Sequence, residues 1–301
     1  MPEVSFIIVS YNTREVLRAC LASIRDLAGV DSETIVVDNA SSDGTPDMIR
    51  SQFPSVRVIA NTENVGFSAA NNQGIALAIG HYVVLLNPDT ELRAGAMRAW
   101  INGHTEHGAA ISGPRLLNPD GTLQPSAWRV PGLTSAVLEL IGLHRLMRAH
   151  AYATTRFSMD FEPGFVSGAA MLMERSALVG LSGLDPALFW SEDTDLCIRA
   201  RALGRCWYLI GPAIVHIGGE SARRHPRRAI SNQLISRIKL ARKHRSRFIA
   251  SAIAVVIGAH ILTRIAAFTI ISVVRKDERA DAYSYTWTRF WRYLVRGDRS
   301  I

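Results

Sequence analysis

Short apolar runs alternate with longer amphipathic stretches over residues 1–90. The apolar runs 4–9, 33–37, 56–60 and 82–86 have the length and composition of buried parallel strands. Between them, apolar residues recur at helical spacing over 13–27 and 67–79, and Pro46 suits the first turn of a further helix. This alternation predicts an α/β fold with a mostly parallel sheet flanked by helices.

Polar residues follow three of these predicted strands: Ser10-Tyr11-Asn12, Asp38-Asn39 and Asn87-Pro88-Asp89. Ligands of open parallel sheets bind beyond the carboxyl ends of the strands. Asp38 could accept hydrogen bonds from a base or ribose, and Asp89 could hold a divalent cation. Each aspartate alone is equally well explained as a cap at a strand–helix turn. Their occurrence at successive strand ends favours ligand binding.

The second half contains an acidic cluster, Ser191-Glu192-Asp193-Thr194-Asp195, placed before a predicted helix over 195–203. A strand-like run, 165–173, contains Gly168, and the apolar run 207–215 ends before His216. Glu192 and Asp193 are expected to precede the helix, where a carboxylate stays ionised, and Asp195 to have a structural role in its first turn. A helix-capping acidic turn is the alternative explanation.

Composition and charge narrow the class of protein. The 301 residues are 48% hydrophobic and 20% charged, as expected of a folded chain, with a net charge of +8. Residues 1–220 hold 16 Lys and Arg against 22 Asp and Glu, whereas residues 221–301 hold 18 against 4. A nucleic-acid-binding body is disfavoured, because the basic residues are confined to the C-terminal region. Neither G-x-G-x-x-G nor a P-loop motif occurs.

Cysteine usage and the N-terminus bear on the compartment. The three cysteines lack metal-type spacing, which favours a reducing environment. Glu3 precedes a first apolar run that is too short for a signal peptide, so the catalytic part is expected to remain in the cytoplasm.

The C-terminal region combines basic and apolar residues. Residues 221–248 hold ten Lys and Arg and no acid, and residues 248–274 are apolar apart from a few positions that include Arg264. Association with the membrane interface is the first interpretation, since Arg264 is costly inside a bilayer. A single span comes second and a helix packed on the body third. Tryptophan, tyrosine and arginine over 275–301 fit an interfacial belt.

An ordered series of motifs resembles the family 2 glycosyltransferases of GT-A fold, and within them the rhamnosyltransferase-like branch. The resemblance covers roughly residues 4–221. The motifs are Val9-Ser-Tyr-Asn-Thr13, Asp38-Asn-Ala-Ser-Ser-Asp-Gly-Thr45, Asn64-Val-Gly-Phe67, Leu85-Leu-Asn-Pro-Asp-Thr90, Gly113-Pro-Arg-Leu116, Pro119-Asp-Gly121, Phe165-Val-Ser-Gly-Ala169, Trp190-Ser-Glu-Asp-Thr-Asp-Leu196 and His216-Ile-Gly-Gly-Glu-Ser221.

This resemblance implies a catalytic domain over 1–221, with a donor half of about 1–110 and an acceptor half of about 111–221. The composition beyond it predicts a helical basic and apolar region over 222–301 that associates with membranes. It implies Asp193 as the general base, and Trp190, Glu192 and Gly168 on the acceptor side. The implied donor-binding residues are Ser10, Tyr11, Asn12, Asp38, Asn64, Gly66, Phe67, Asn87 and Asp89.

Asp89 and His216 are the implied ligands of Mg²⁺ or Mn²⁺, although a lone histidine after a strand is more often a packing residue. Asn87 departs from the family's Asp-x-Asp motif, which removes one carboxylate from the site. Among the arginines that could pair with diphosphate, Arg223 and Arg224 rank above Arg115 and Arg129, because they follow His216 closely.

The expected activity is inverting transfer of a sugar from a nucleotide-diphosphate sugar, with dTDP-rhamnose as donor and a lipid-linked glycan as acceptor. The expected place is the cytoplasmic face of the cell membrane, in cell-envelope polysaccharide synthesis. One alternative is another sugar, such as galactofuranose from a UDP-sugar. A second is a nucleotidyltransferase, which would need a glycine-rich N-terminal loop that residues 9–13 lack. The oligomeric state is not encoded.

Overall fold

The computed structural model describes residues 1–144, 146–147, 150–218, 226–274 and 279–297. The chain forms two compact units. The sheet unit comprises Met1–Trp128, Tyr152–Pro186 and Glu192–Gly218. The helical unit comprises Arg129–Ala151, Ala187–Ser191 and Gly219–Ile301.

The sheet unit is built on a nine-stranded sheet of order β3-β2-β1-β4-β10-β6-β11-β5, with β7 added to β6. A separate two-stranded sheet pairs β8 with β9. The strands are β1 Val4–Ser10, β2 Ser32–Asp38, β3 Arg57–Ala60, β4 Tyr82–Leu86, β5 Thr90–Leu92, β6 Ala109–Leu117, β7 Leu123–Gln124, β8 Ala127–Trp128, β9 Phe165–Val166, β10 Ala170–Glu174 and β11 Arg205–His216.

Helices cover both faces of this sheet. They are α1 Arg14–Leu27, α2 Thr45–Gln52, α3 Phe67–Leu77, α4 Ala96–Glu106, α6 Arg175–Gly180 and α7 Glu192–Ala200. All seven residues of β1 are buried. On one face of the sheet, α1 buries Leu17, Leu21 and Ile24 at helical spacing. β1 is therefore a fully buried strand in the interior of the sheet.

Strand register brings the polar strand ends together. β1 pairs in parallel with β2, with Ser10 opposite Asp38, and also with β4. β10 runs antiparallel to both β4 and β6, which makes the second half of the sheet mixed. The strands and helices predicted over residues 4–86 are confirmed to within a few residues.

Two predicted elements of the second half were wrong. The run 165–173 is two strands, because Ser167, Gly168 and Ala169 form a turn between β9 and β10. The helix placed over 195–203 is α7, which begins at Glu192 and ends at Ala200. Its start is earlier because the acidic side chains of Glu192 and Asp193 are favourable in the first turn of a helix.

The helical unit contains α5 Leu133–Leu140, α8 Pro226–His244, α9 Arg247–Val274 and α10 Arg279–Arg296. Its core includes Ile235, Ile238, Ile253, Ile257 and Phe290. The sequence division at 221/222 does not anticipate that 129–151 and 187–191 cluster with these helices. Within the described part of the chain, α9 alone is apolar and long enough to cross a membrane, with mean hydropathy 2.0 in an 18-residue window of Arg247–Ser272.

Candidate active site

The ends of β1 and β2 form the first part of the site. The Ser10 and Thr13 hydroxyl groups are hydrogen-bonded at 2.8 Å. Asn12 has a left-handed backbone, φ 53°, and its side-chain Oδ1 accepts a hydrogen bond from the Ser42 N–H. Asp38 is 1% exposed and accepts a hydrogen bond from the Ser41 N–H through Oδ2, whereas Oδ1 has no hydrogen-bond partner among the described residues. A buried oxygen left unsatisfied in this way suits a ligand donor.

The loop before α3 lies beside this strand end. Asn64 Oδ1 accepts a hydrogen bond from the Gly66 N–H, and Gly66 has φ 87°, a conformation that favours glycine. The carbonyl of Gly66 in turn accepts a long hydrogen bond, 3.4 Å, from Asn39. Phe67 begins α3, and Tyr11 is half exposed. Thus Asn64 and Gly66 shape the loop through their own contacts.

Asp89 and His216 meet at the end of β4 and β11. His216 Nε2 is 3.3 Å from Asp89 Oδ1, and the Gly218 N–H donates to Asp89 Oδ2. Burial alone would raise the pKa of Asp89, but the hydrogen bond and charge of His216 and the Gly218 amide lower it. Nearby, the Asn87 N–H donates to the carbonyl of Ala169.

Sequence reasoning missed Gln124, which holds His216 from the other side. Gln124 Nε2 donates to Asn118 Oδ1 and to the carbonyl of His216, so its Oε1 must be the atom 2.6 Å from His216 Nδ1. His216 Nδ1 therefore carries a proton, and Nε2 is the ring nitrogen that faces Asp89. The turn Pro119-Asp-Gly121 was the available signal, because it predicts a hairpin that ends near Gln124.

The donor atoms of Asp89 and His216 are of the kind that a divalent cation accepts. Their facing oxygen and nitrogen atoms are close enough to bind one ion, and both are donors that Mn²⁺ accepts. Among the described residues no group of three or more His, Cys, Asp or Glu side chains could hold a metal ion. Substrate oxygens or water would have to supply the other positions.

Asp193 lies in the first turn of α7, half-buried against the turn between β9 and β10. The Gly168 N–H donates to Oδ2 at 3.1 Å, and the Thr194 N–H and hydroxyl donate to Oδ1 at 2.6 and 3.2 Å. Burial raises the pKa of Asp193, and these donors only partly offset it. The expectation that Asp193 precedes the helix was wrong, because α7 begins at Glu192. Desolvation in this first turn makes the carboxylate more basic.

Asp195 has the structural contacts that the sequence suggested. It is fully buried, and Arg199 Nε lies 2.7 Å from its Oδ2. The same guanidinium donates to the carbonyls of Leu181 and Gly183. This arrangement ties α7 to the loop before it and sets the position of Asp193.

The remaining predicted residues divide between the two units and the undescribed positions. Glu192 begins α7 beside Asp193, and Gly168 contributes its amide to Asp193. Trp190 belongs to segment 187–191 of the helical unit, where its ring lies 6.2 Å from that of Phe189. Arg223 and Arg224 lie outside the described residues.

Comparison with known families identifies the family of the chain. The sequence model for "Glycosyl transferase family 2" matches residues 5–180, more than half of the chain. The chain belongs to glycosyltransferase family 2. The resemblance inferred from the motifs is thereby confirmed, and the protein is an enzyme of the glycosyltransferase class.

A relative with a named activity is the N-acetylglucosaminyl-diphospho-decaprenol L-rhamnosyltransferase of Mycobacterium tuberculosis. It is 28% identical over 243 residues, which cover 72% of this chain and 77% of the relative. The low-salt glycan biosynthesis hexosyltransferase Agl10 of Haloferax volcanii is 26% identical over 226 residues, 68% of this chain and 65% of the relative.

Solved structures confirm the predicted fold class. A mannosyltransferase from Pyrobaculum calidifontis, solved in complex with GDP-Man and Mn²⁺, matches with TM-score 0.58 at 16% identity, covering 99% of this chain and 88% of that chain. The family 2 glycosyltransferase described here therefore has a GT-A-like fold, in which a mixed sheet is flanked by helices.

Proposed function

We propose that this family 2 glycosyltransferase inverts the anomeric centre of a nucleotide-diphosphate sugar while transferring the sugar to a glycan hydroxyl. The environment of Asp193 carries this proposal. A desolvated carboxylate that receives hydrogen bonds from neutral donors keeps a raised pKa and is fixed in orientation. Both properties suit a general base.

The reaction needs one proton transfer and one displacement. Asp193 takes the proton of the acceptor hydroxyl as that oxygen bonds to the anomeric carbon. The bond between this carbon and the diphosphate oxygen breaks, and its electron pair leaves with the nucleoside diphosphate. Asp38, with its unpaired buried oxygen, would hold the base or ribose of the donor. Glu192, Gly168 and Trp190 stay proposed for the acceptor side.

A divalent cation, Mg²⁺ or Mn²⁺, would be held by Asp89 and His216. When bound, it stabilises negative charge on the departing diphosphate. Gln124 orients His216 toward that position and Gly218 orients Asp89. The Mn²⁺ in the solved mannosyltransferase supports this assignment.

Rhamnose from dTDP-rhamnose is the proposed donor sugar, and a lipid-linked glycan is the proposed acceptor. The mycobacterial relative, named as a rhamnosyltransferase acting on a diphospho-decaprenol, supports both assignments. The apolar helix α9 supports a place at the cytoplasmic face of the cell membrane, where a lipid-linked acceptor of envelope polysaccharide synthesis is found.

Replacing the proposed base is the direct test. Asp193→Asn should lower transfer about 10²–10⁴-fold, because the amide cannot accept the proton. Calorimetric binding of dTDP-rhamnose should stay within a few-fold of the parent. Asp47→Asn, at an exposed position on α2, is the matched control and should leave turnover unchanged. Unchanged turnover in Asp193→Asn would remove this residue from the role.

The donor is identified separately by thermal shift. Of a panel of nucleotide sugars tested with Mn²⁺ or Mg²⁺, dTDP-rhamnose should raise the melting temperature most, because only a ligand of the native state stabilises it. A larger shift with a UDP-sugar would replace the rhamnosyl assignment and leave the role of Asp193 intact.

A further inference from the structure

Helix α9 carries apolar side chains on its outward face. Phe248, Val255, Leu262 and Ile270 are 83, 71, 47 and 70% exposed. They recur every seven or eight residues, so they lie along one side of the helix, which we call the outer stripe. No charged residue occupies this side between Phe248 and Ile270, and a 28-residue helix is about 42 Å long. The outer stripe itself, from Phe248 to Ile270, is about 33 Å long. An apolar strip of that length is not expected to face water.

The two side chains of α9 that are most polar, Arg264 and His260, lie away from the outer stripe. Arg264 donates to the carbonyl of Glu139 at 3.3 Å, and His260 is buried. The carboxylate of Glu139 binds Arg237 at 2.6 Å and His150 at 2.7 Å. The helix is thus apolar along the outer stripe, and its buried face, which carries Ile253 and Ile257, is largely apolar too. A helix on a water-soluble domain is polar on its outer side. Arg264, the residue most unfavourable for membrane contact, is kept away from the outer stripe.

Neighbouring side chains suit the polar boundary of an anionic bilayer. Arg242, Lys243, Arg245 and Arg247 are exposed around the junction of α8 and α9. Basic residues that adjoin a membrane-inserted apolar segment are attracted to anionic headgroups. On α10, Trp291 is 57% exposed and stacks with Trp287, which packs near Gly258 of α9. Indole rings favour the same boundary.

Contacts around the middle of α9 argue against a transmembrane placement. Phe290 of α10 packs against Gly258, and the adjoining Arg289 binds Asn232 of α8 at 2.7 Å. Arg237 and Glu139 are connected to the same part of α9, because Arg237 binds the Glu139 carboxylate and Arg264 of α9 donates to the Glu139 carbonyl. A spanning α9 would carry this group of charges to the centre of the hydrocarbon, where charges are costly. A helix lying along the surface leaves them on the aqueous side.

We propose that the outer stripe inserts into one leaflet of an anionic phospholipid bilayer, with the axis of α9 parallel to the membrane plane. This rests on the proposed membrane location and deepens it, but it requires no particular donor or acceptor. Lipid is chosen over a second copy of the chain because the basic residues and indole rings beside the stripe are complementary to headgroups.

Flotation of the full chain with vesicles tests the surface. The parent should bind phosphatidylcholine vesicles that contain phosphatidylglycerol. Val255→Asp/Leu262→Asp should lower the partition coefficient at least about tenfold. Two apolar side chains that would be buried in lipid are lost, and two negative charges that anionic headgroups repel are added. The matched control is Val179→Asp/Leu203→Asp, at residues of the sheet unit that are 52 and 57% exposed, and it should bind as the parent does. Equal partitioning of the two double variants would overturn the proposal.

Depth measurements separate a surface helix from a span and do not rely on the charged variants. Ala252→Cys, Ala259→Cys and Ala266→Cys each introduce one nitroxide site along the stripe, while the three native cysteines are buried. In-plane insertion predicts equal immersion depths at all three. A span predicts depths that differ by about 10 Å for each seven residues, and that result would overturn the proposal.

Light scattering without lipid tests whether a second copy of the chain, and not lipid, covers the outer stripe. The parent should show the same mass as Val255→Asp/Leu262→Asp. A parent dimer that this variant dissociates, with vesicle binding unchanged, would assign the outer stripe to a second copy of the chain. Vesicle binding needs no donor sugar, so either outcome leaves the proposed transfer reaction untouched.

Discussion

Two partly buried carboxylates, one in each unit, have pKa values shifted in opposite directions. Burial alone would raise the pKa of Glu139 in the helical unit, but the hydrogen bond from His150 and the charge of Arg237 lower it to about 2. Asp193 in the sheet unit is desolvated as well, yet its described hydrogen bonds come from the neutral groups of Gly168 and Thr194, and its pKa is raised. Desolvation is common to both, and the partners decide the sign.

This difference separates a structural carboxylate from one suited to proton transfer. Glu139 is held in its ionised form by the Arg237 guanidinium and a hydrogen bond from His150, so it does not exchange a proton near neutral pH. Asp193 is held in place without a cation, so its basicity is preserved while its orientation is fixed. Asp89 lies between these cases, since His216 is its partner and its pKa is lowered.

The largest expected effect removes the charge of Glu139. Glu139→Gln should destabilise the protein by about 3–5 kcal/mol, because Arg237 is left as an unpaired, mostly buried charge. Urea denaturation measures this loss. Asp193→Asn is the informative comparison and should cost much less, because the Asp193 charge has no described cationic partner. If both variants lost the same stability, the contrast between the two carboxylates would fail.

A surface pair and pH provide the controls for Glu139. Glu162→Gln breaks the exposed pair with Arg205 and should cost only about 0–1 kcal/mol. The folded-state pKa of Glu139 lies below its usual 4.5, so its contribution is complete above that pH and is lost as pH falls toward about 2. The parent should therefore lose more stability than Glu139→Gln over this acid range.

An intermediate effect is expected at Gln124. Gln124→Leu removes the acceptor that fixes the His216 Nδ1–H, and it should weaken Mn²⁺ binding about 10–100-fold, as measured by electron paramagnetic resonance with nucleoside diphosphate present. Nitrogen chemical shifts of His216 should show a mixture of tautomers. Gln52→Leu, at an exposed residue at the end of α2, is the control and should change neither measurement. A single, unchanged tautomer in Gln124→Leu would contradict the positioning role.

Local patterns were sufficient for the strands and helices of the first half. The runs that became β1, β2 and β4 are short and wholly apolar at their centres. Asp38 ends β2 and Asp89 follows β4, strands whose parallel pairing with β1 was predicted. The motifs indicated the family for the same reason, because each is a contiguous stretch at the end of such an element.

Contacts between distant residues could not be read in this way. Gln124 reaches His216 across 92 positions from a two-residue strand, which has no periodicity to detect. Gly168 lies 25 residues before Asp193, and only the fold brings its amide to that carboxylate. Likewise, Arg237 binds Glu139 across 98 positions, which places 129–151 in the helical unit.

The smallest expected effect is a displacement of the pH profile. Transfer requires ionised Asp193, so activity should fall on the acid side at a pH above the usual value for an aspartate, about 3.9. Thr194→Val removes a hydroxyl that donates to the ionised carboxylate, so the pKa of Asp193 should rise further. The acid limb of kcat/KM should then move to higher pH while its plateau is retained. An acid limb that stayed in place or moved to lower pH would show that another group controls the profile. Asp193 would then be a structural carboxylate, as Glu139 is, and not the group that takes the proton.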